Sequence, residues 1–523
     1  MSPDSAPSEA KGSLVVGDVQ ADPHGSTGIA TLTPLSPYVL VIAGATLVIL
    51  VGLSGRYGYH RDELYYLEAG RHLAWGYPDQ PPFTPLFARL MQYFAPGSLV
   101  VLRLPSALAA AGVIVLTGLL ARELGARRSA QMLAALSIAV SGLLLGAGHL
   151  LSTTSFNLFF WTLLLWLIVR VLRTQIRYLW ILIGVVAGVG ILNSDLVVFL
   201  LGAVLVGVFI CGPRLVFTSR SLWIGGLIAA LLWTPYLVWQ ARHGWPELAV
   251  SRSIGAGGSG SSTPRYLVLP EQLVLVSPYL CPVWIAGLIR LFRDPALRWC
   301  RSIAVAYLVL AVVFVATGGK GYYLASYLPV LLAAGSQPAI DWLGRGRVTL
   351  RRRLLVFAFV FTALGTVFFI LPVLPVSVVH HTPIVAVNYD EGETIGWPAY
   401  VSEIAYVYHR VPMSGRSTTS ILASNYGEAG AVDRFGPSLG LPPAFGGQDG
   451  FWYWGPPPSS SRTFIVVGMT RRKLALSLGR CELATRLNNE VGVDNQEQGS
   501  PVWTCSVVKA DWAVLWPHWK VLG

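Results

Sequence analysis

YHRDELYYLEAGRHLAWGYPDQPP, residues 59–82, sets charged groups between two apolar segments, 37–54 and 98–119, each long enough to cross a bilayer. Asp62 and Glu63 are adjacent, and Asp79 follows directly ahead of Gln80 and the Pro81-Pro82 pair. The two prolines stiffen the backbone behind that acid. Carboxylates held this way make a candidate catalytic loop.

The rest of the chain fits such a loop. Of its 523 residues 54% are hydrophobic and only 12% are charged. With a mean hydropathy of +0.57, a water-soluble globular protein is excluded. Uninterrupted apolar windows fall at 37–54, 98–119, 130–149, 155–171, 178–193, 196–211, 222–239, 271–289, 302–317, 322–340 and 354–372, so about eleven transmembrane helices are expected.

Basic residues near span ends stay on the cytoplasmic side. Alternate loops carry Arg122, Arg127 and Arg128; Arg170, Arg173 and Arg177; Arg214 and Arg220; Arg290, Arg293, Arg298 and Arg301; and Arg345, Arg347, Arg351, Arg352 and Arg353. The only acids among them are Glu123, Asp294 and Asp341, so these loops alone exceed the whole-chain net charge of +12. The basic character is therefore a topology signal, and no nucleic-acid partner is expected. A cytoplasmic N-terminus follows, with loop 59–82 and everything after residue 375 outside the cytoplasm.

Residues 1–35 are polar and rich in Ser, Pro, Gly and Ala, which reads as a disordered cytoplasmic tail. The tail lacks the basic start and apolar core of a cleavable signal, so the first span directs insertion. Residues 36–375 form the membrane domain, with its first external loop at 55–97. Residues 376–523 alternate short β-branched runs (464–467, 502–508) with helical stretches near 397–409, 426–436 and 471–479, the pattern of an extracytoplasmic α/β domain. Cys211, Cys281 and Cys300 lie in or beside spans and read as small apolar residues, whereas Cys481 and Cys505 could pair in an oxidising compartment.

Within loop 55–97, Leu64, Leu67, Leu73 and Trp75 are expected on the membrane interface, with Asp62, Glu63, Glu68 and Arg71 facing water. A second long loop, 240–270, contains GAGGSGSSTP, which lacks the Lys-Ser/Thr ending of a phosphate loop and reads as a flexible lid or linker. An external membrane face has no nucleotides, and one solution is a sugar activated as a polyprenyl phosphate. Transfer with inversion needs a carboxylate to take the acceptor's proton and a cation for the departing phosphate. Asp62 and Asp79 suit the first role. Lys320, in GGKGYYLASYLP between two spans, suits the second, or simply snorkels to the headgroups. Gly318, Gly319 and Gly321 would let an anion approach the backbone, and Tyr322 and Tyr323 offer hydroxyls.

HRDELYYLEAGRHLAWGYPDQPPFTPLFARL, together with WTPYLVWQARHGWPE (233–247), GKGYYLASYLP (319–329) and NYGEAGAVDRFG (425–436), resembles bacterial glycosyltransferase family 39. These are GT-C-fold relatives of protein O-mannosyltransferases and lipid A aminoarabinose transferases. The resemblance implies an inverting transferase that moves a sugar from a polyprenyl-phosphate carrier to an external lipid, polysaccharide or protein. On the matched motifs, Asp62 is the base or acceptor-binding acid, Asp79 the second acid, and Lys320 the donor-phosphate contact. Glu63, His60, Arg61, His243 and Tyr323 support them, although a lone His243 beside Trp and Pro also reads as a packing residue. Two departures stand out: Asn157 sits where many relatives carry an acid, and the 191–195 segment lacks a lysine often found there. The three external acids could hold a divalent cation, with no His or Cys cluster to fix its identity. A transporter or lipid flippase, or a catalytically silent scaffold, are the alternatives.

Overall fold

The computed structural model describes residues 32–258, 262–508 and 511–523. Most of the N-terminal tail, and residues 259–261 of the glycine-rich loop, lie outside the described residues. The membrane region contains α1 (Pro37–Leu53), α2 (Arg61–Arg71), α3 (Phe83–Phe94), α4 (Leu99–Glu123), α5 (Arg128–Ala139), α6 (Gly142–His149), α7 (Thr153–Thr174), α8 (Leu179–Ile191) and α9 (Leu196–Cys211). It continues with α10 (Arg220–Arg242), α11 (Pro246–Gly255), α12 (Val268–Val276), α13 (Cys281–Arg293), α14 (Arg301–Thr317), α15 (Gly321–Ala325), α16 (Leu328–Leu343) and α17 (Val348–Ile370).

Every expected apolar window holds helix, but not every helix is a straight span. Among the described residues five are long and apolar enough to cross a membrane, or up to seven if the bent pairs α5–α6 (57°) and α12–α13 (88°) each count as one. The bends fall at Ser141 and Ser277, whose hydroxyls accept the backbone N–H groups of Leu144 (3.3 Å) and Tyr279 (3.2 Å). A serine thus restarts each helix while satisfying donors that a break would orphan. The α1, α8 and α9 helices are shorter apolar segments. In α16, every residue from Leu328 to Gln337 is buried, so this helix is the centre of the bundle.

Glycines bring the bundle together. A Cβ on Gly335 of α16 would lie 1.7 Å from the Val283 carbonyl of α13, and one on Gly184 of α8 would lie 2.1 Å from the Gly225 carbonyl of α10. With lipid outside, such backbone-to-backbone contact replaces hydrophobic drive as the source of packing energy.

After α17 the chain builds a five-stranded sheet of order β2-β1-β3-β5-β4. Its strands are β1 (Thr419–Ala423), β2 (Ala444–Gly446), β3 (Thr463–Val467), β4 (Leu478–Arg486) and β5 (Pro501–Val508). The first three are parallel, while β5 runs antiparallel to both β3 and β4. Cys481 and Cys505 face each other across β4 and β5 and are joined as a disulfide with a Cα–Cα distance of 4.1 Å. Ile421, Ala423, Ile465 and Val467 on one sheet face share a core with Leu64, Tyr65 and Leu67 of α2.

That shared core corrects the expectation for α2. The helix does not lie on the membrane interface with its acids in water: Leu64 and Leu67 are buried, but so are Glu63 (0% exposed) and Glu68 (4%). The apolar period was legible, yet α2 is enclosed: helix Tyr426–Phe435 packs on it, a Cβ on Gly430 lying 3.0 Å from the Leu64 backbone, and Arg103 of α4 covers Glu63. Leu73 and Trp75, beyond the helix end, are exposed as expected.

Candidate active site

The α2 helix opens with a reciprocal cap in which the Glu63 carboxylate accepts the His60 N–H (2.9 Å) and the His60 ring accepts the Asp62 N–H (3.2 Å). Glu63 also forms a two-pronged ion pair with Arg103 of α4, both bonds 2.8 Å, and accepts the Leu151 N–H at 2.9 Å. Arg103 donates its remaining N–H groups to the Ser54 and Gly58 carbonyls (2.8 and 2.7 Å). Burial alone would raise the Glu63 carboxyl, but Arg103 and the backbone donors hold it below its usual range. With its oxygens occupied, Glu63 fixes α2 to the bundle rather than offering a free base.

Asp62, one residue earlier, projects differently. Its side chain is 38% exposed, and its Oδ1 accepts the Tyr426 hydroxyl at 2.7 Å. The neighbouring Arg61 guanidinium lies over the Tyr426 ring (4.8 Å) and 3.6 Å from buried Glu393, with a further contact to Gln496. His60 sits between Asp62 (3.9 Å) and Asp390 (3.8 Å). Burial opposes charge on this ring, but the Asp390 hydrogen bond and the fields of Asp62, Asp390 and Glu63 raise its pKa to about 9. In the protonated state Nδ1–H turns from cap acceptor to partner of the Asp62 carboxylate.

Asp79 accepts the Tyr65 hydroxyl at 2.6 Å. Burial and the field of Asp449 push its carboxyl well above the usual range despite that bond, and burial raises Asp449 itself to about 6. Burial thus favours the neutral form of the Asp79 carboxyl more than that of an exposed acid. Next to it Gln80 is 4% exposed, and neither of its side-chain amide atoms has a partner among the described residues. Buried amides are rarely left so, and a polar ligand would complete this one. The Tyr66 hydroxyl bonds Thr153 and feels the charges of Asp62 and Asp79 and the nearby Tyr322.

Lys320 caps α15, its ammonium 5.8 Å from the Tyr322 ring and close enough to act on Asp390. Lys320 and Tyr322 are thus brought to the Asp62, Tyr66 and Asp390 group. The glycine expectation is corrected in part: a Cβ on Gly321 would lie 1.7 Å from the Glu271 carboxylate, and its N–H donates to Thr263 (3.2 Å), so this backbone already faces an acid. Tyr323 packs edge-on against Tyr322 and Phe314. His243 is not brought in. Its ring stacks on Trp239 (4.0 Å), meets Tyr453 edge-on, and bonds the Trp239 carbonyl, which matches the packing reading.

Asn157 donates to Ser326 (3.2 Å), and its buried Oδ1 has no partner among the described residues. Sequence reasoning missed Tyr66, Tyr426, Asp390 and Arg103, which gain meaning only through contacts far along the chain. It also missed Glu247, whose carboxyl is pushed well up by burial and by the fields of Asp195 and Asp79. Among the described residues no three His, Cys, Asp or Glu side chains converge as a metal site.

Residues 79–239 match the family described as dolichyl-phosphate-mannose-protein mannosyltransferase. No curated protein matches in sequence. The fold is similar to that of ArnT from Cupriavidus metallidurans bound to undecaprenyl phosphate, at 15% identity and a TM-score of 0.56 over 89% of this chain and 98% of that one. The apo state of ArnT gives a TM-score of 0.57 at 15% identity, over 89% of this chain and 97% of the other. AglB from Archaeoglobus fulgidus, in complex with an inhibitory peptide and a dolichol-phosphate, is similar at 14% identity and a TM-score of 0.52, over 82% of this chain and 69% of that one. The family match, which begins at one of the loop acids and spans residues 79–239, and the fold shared with ArnT and AglB agree with the motifs around residues 59–82.

Proposed function

We propose that this chain is an inverting glycosyltransferase that takes a sugar from a polyprenyl-phosphate carrier and delivers it to an acceptor outside the cytoplasm. One observation carries the reading. The half-exposed Asp62 carboxylate accepts the Tyr426 hydroxyl and is joined through His60 to Asp390, which feels the charge of Lys320. Asp62 accepts the proton of the acceptor hydroxyl as that oxygen bonds the anomeric carbon. The bond from that carbon to the phosphate oxygen breaks, and the lipid phosphate leaves with the electron pair, its charge met by Lys320. Asp79, its carboxyl pushed up by burial, and the Gln80 amide, without a partner among the described residues, are the groups assigned to hydrogen-bond the donor sugar. The undecaprenyl phosphate bound by ArnT and the dolichol-phosphate bound by AglB support a lipid-phosphate donor.

The arginine-rich loops support a multi-pass plasma-membrane protein with its N-terminus in the cytoplasm. Residues 376–523 then form the extracytoplasmic α/β domain, with the membrane lipids as further partners. Asp62→Asn tests the reading in membranes charged with polyprenyl-phosphate sugars. The expected loss is about 10²- to 10⁴-fold in transfer at an unchanged level of folded protein. Unaltered turnover would remove Asp62 from the role of base.

A further inference from the structure

Beyond the reacting groups, the second half of α2 walls a cavity of about 370 Å3 formed with the helix Tyr426–Phe435 and the segment that follows it. Its polar lining is Glu68, Arg71, His72 and Asp433, and its apolar wall includes Phe451 and Trp454. Glu68 and Asp433 each use one carboxyl oxygen inside the protein, toward Arg71 and the Ala444 N–H (2.8 Å) respectively. Among the described residues the other oxygen of each accepts no hydrogen bond. His72 is held by its Nδ1 contact with the Glu68 carbonyl (3.1 Å) and stacks on Trp454 at 4.4 Å and 16°. The indole meets Phe451 edge-on (4.7 Å) and Tyr65 (6.2 Å), and the Tyr65 hydroxyl bonds Asp79. One aromatic cluster therefore runs from this cavity to Asp79.

The chemistry of the lining selects its occupant. With two carboxyls to one guanidinium the lining has no net positive charge, so it offers the donor phosphate no favourable field. Burial, with the field of Asp433, raises Glu68 to about 7, and burial raises Asp433 to about 6. A carboxyl pair that retains a proton both donates and accepts, which matches a sugar hydroxyl, itself donor and acceptor. The rigid ring cluster offers an apolar surface to the C–H face of a pyranose, and the cavity is of ligand size, within the range of roughly 300–1,000 Å3. From Asp62 to Glu68 and His72 the helical rise amounts to roughly 9–15 Å, a span that a chain of a few sugars bridges.

We propose that this cavity is a saccharide subsite that holds the inner part of a neutral glycan acceptor while its terminal hydroxyl lies at Asp62. The inference rests on the transferase reading and names its acceptor class. Full-length protein in lipid nanodiscs is applied to an array of neutral oligosaccharides, anionic oligosaccharides and Ser/Thr-rich peptides. Neutral glycans are expected to be retained. Asp433→Asn and Trp454→Ala should each weaken retention roughly tenfold or more, the loss of a charge-assisted hydrogen bond or a buried aromatic contact. Asp433→Asn is nearly isosteric and guards against misfolding of the tryptophan variant. Asp62→Asn should retain glycan while losing transfer.

No neutral glycan retained, retention indifferent to Asp433→Asn, or capture of peptide in its place would each overturn the proposal. Glycan retained through this cavity by a protein that transfers no sugar from any lipid-phosphate donor would instead sink the transferase reading and leave the subsite standing.

Discussion

Replacing Glu63 with Gln separates anchoring from chemistry, because the side chain keeps its shape and loses its charge. Arg103, 0% exposed, would be left with two backbone carbonyls and no counter-charge. Breaking one member of a buried ion pair destabilises by about 3–5 kcal/mol, whereas the net value of the intact pair is far smaller. At roughly 2–4 °C per kcal/mol for domains of 150–250 residues, and less for longer chains, the melting temperature should fall on the order of 5–10 °C. Thermal unfolding of the detergent-purified protein measures this. The double variant Glu63→Gln with Arg103→Met should recover part of the loss, since the orphaned charge goes with it. Transfer per folded molecule should remain within about tenfold of the parent, against the 10²-fold or greater loss expected of a base. A Glu63→Gln protein with unchanged melting and abolished transfer would refute the assignment and return Glu63 to the chemistry.

Tyr426→Phe deletes the 2.7 Å bond to Asp62 without altering ring packing, and should lower kcat/KM roughly tenfold or more at constant melting temperature. A variant as active as the parent would remove the tyrosine from the positioning of the acid. Lys320→Met should weaken inhibition by free polyprenyl phosphate by about tenfold or more, measured in a steady-state titration; equal inhibition would leave the lysine as an interfacial residue. Stability should decline between about pH 5 and pH 8. Glu68 (raised to about 7), Asp433 and Asp449 (each to about 6) bind protons more tightly folded than unfolded, so their contribution is complete below the unfolded pKa and is lost as pH rises through the folded values. Asp433→Asn should flatten that decline in thermal melts, and a profile as steep as the parent's would count against it.

The helical body was legible because apolar windows of the right length have few other uses, and the acids of loop 59–82 were legible because charge between spans is rare. Hydropathy carries no direction, however, so it could not show that Ser141 and Ser277 turn two of those windows through 57° and 88°. Charge alone also could not separate Asp62 from Glu63. Their difference lies in Arg103, which stands within an apolar span, and in Tyr426, a residue 364 positions away. The amphipathic period of α2 was read correctly, but its environment was reversed, because a periodicity says which residues share a face and not what covers it. His243 followed its simple reading: a ring beside Trp239 packs on Trp239.

The bond between Tyr426 and Asp62 also bears on how the protein is made. Ribosomes deliver the loop acids early, yet the hydroxyl that orients Asp62 emerges only after α17 has been threaded into the bilayer and β1 has followed it. A partly synthesised chain, inserted but lacking residues after 425, holds its lipid-facing machinery without the group that aims the acid. Birth order therefore completes the surroundings of Asp62 last.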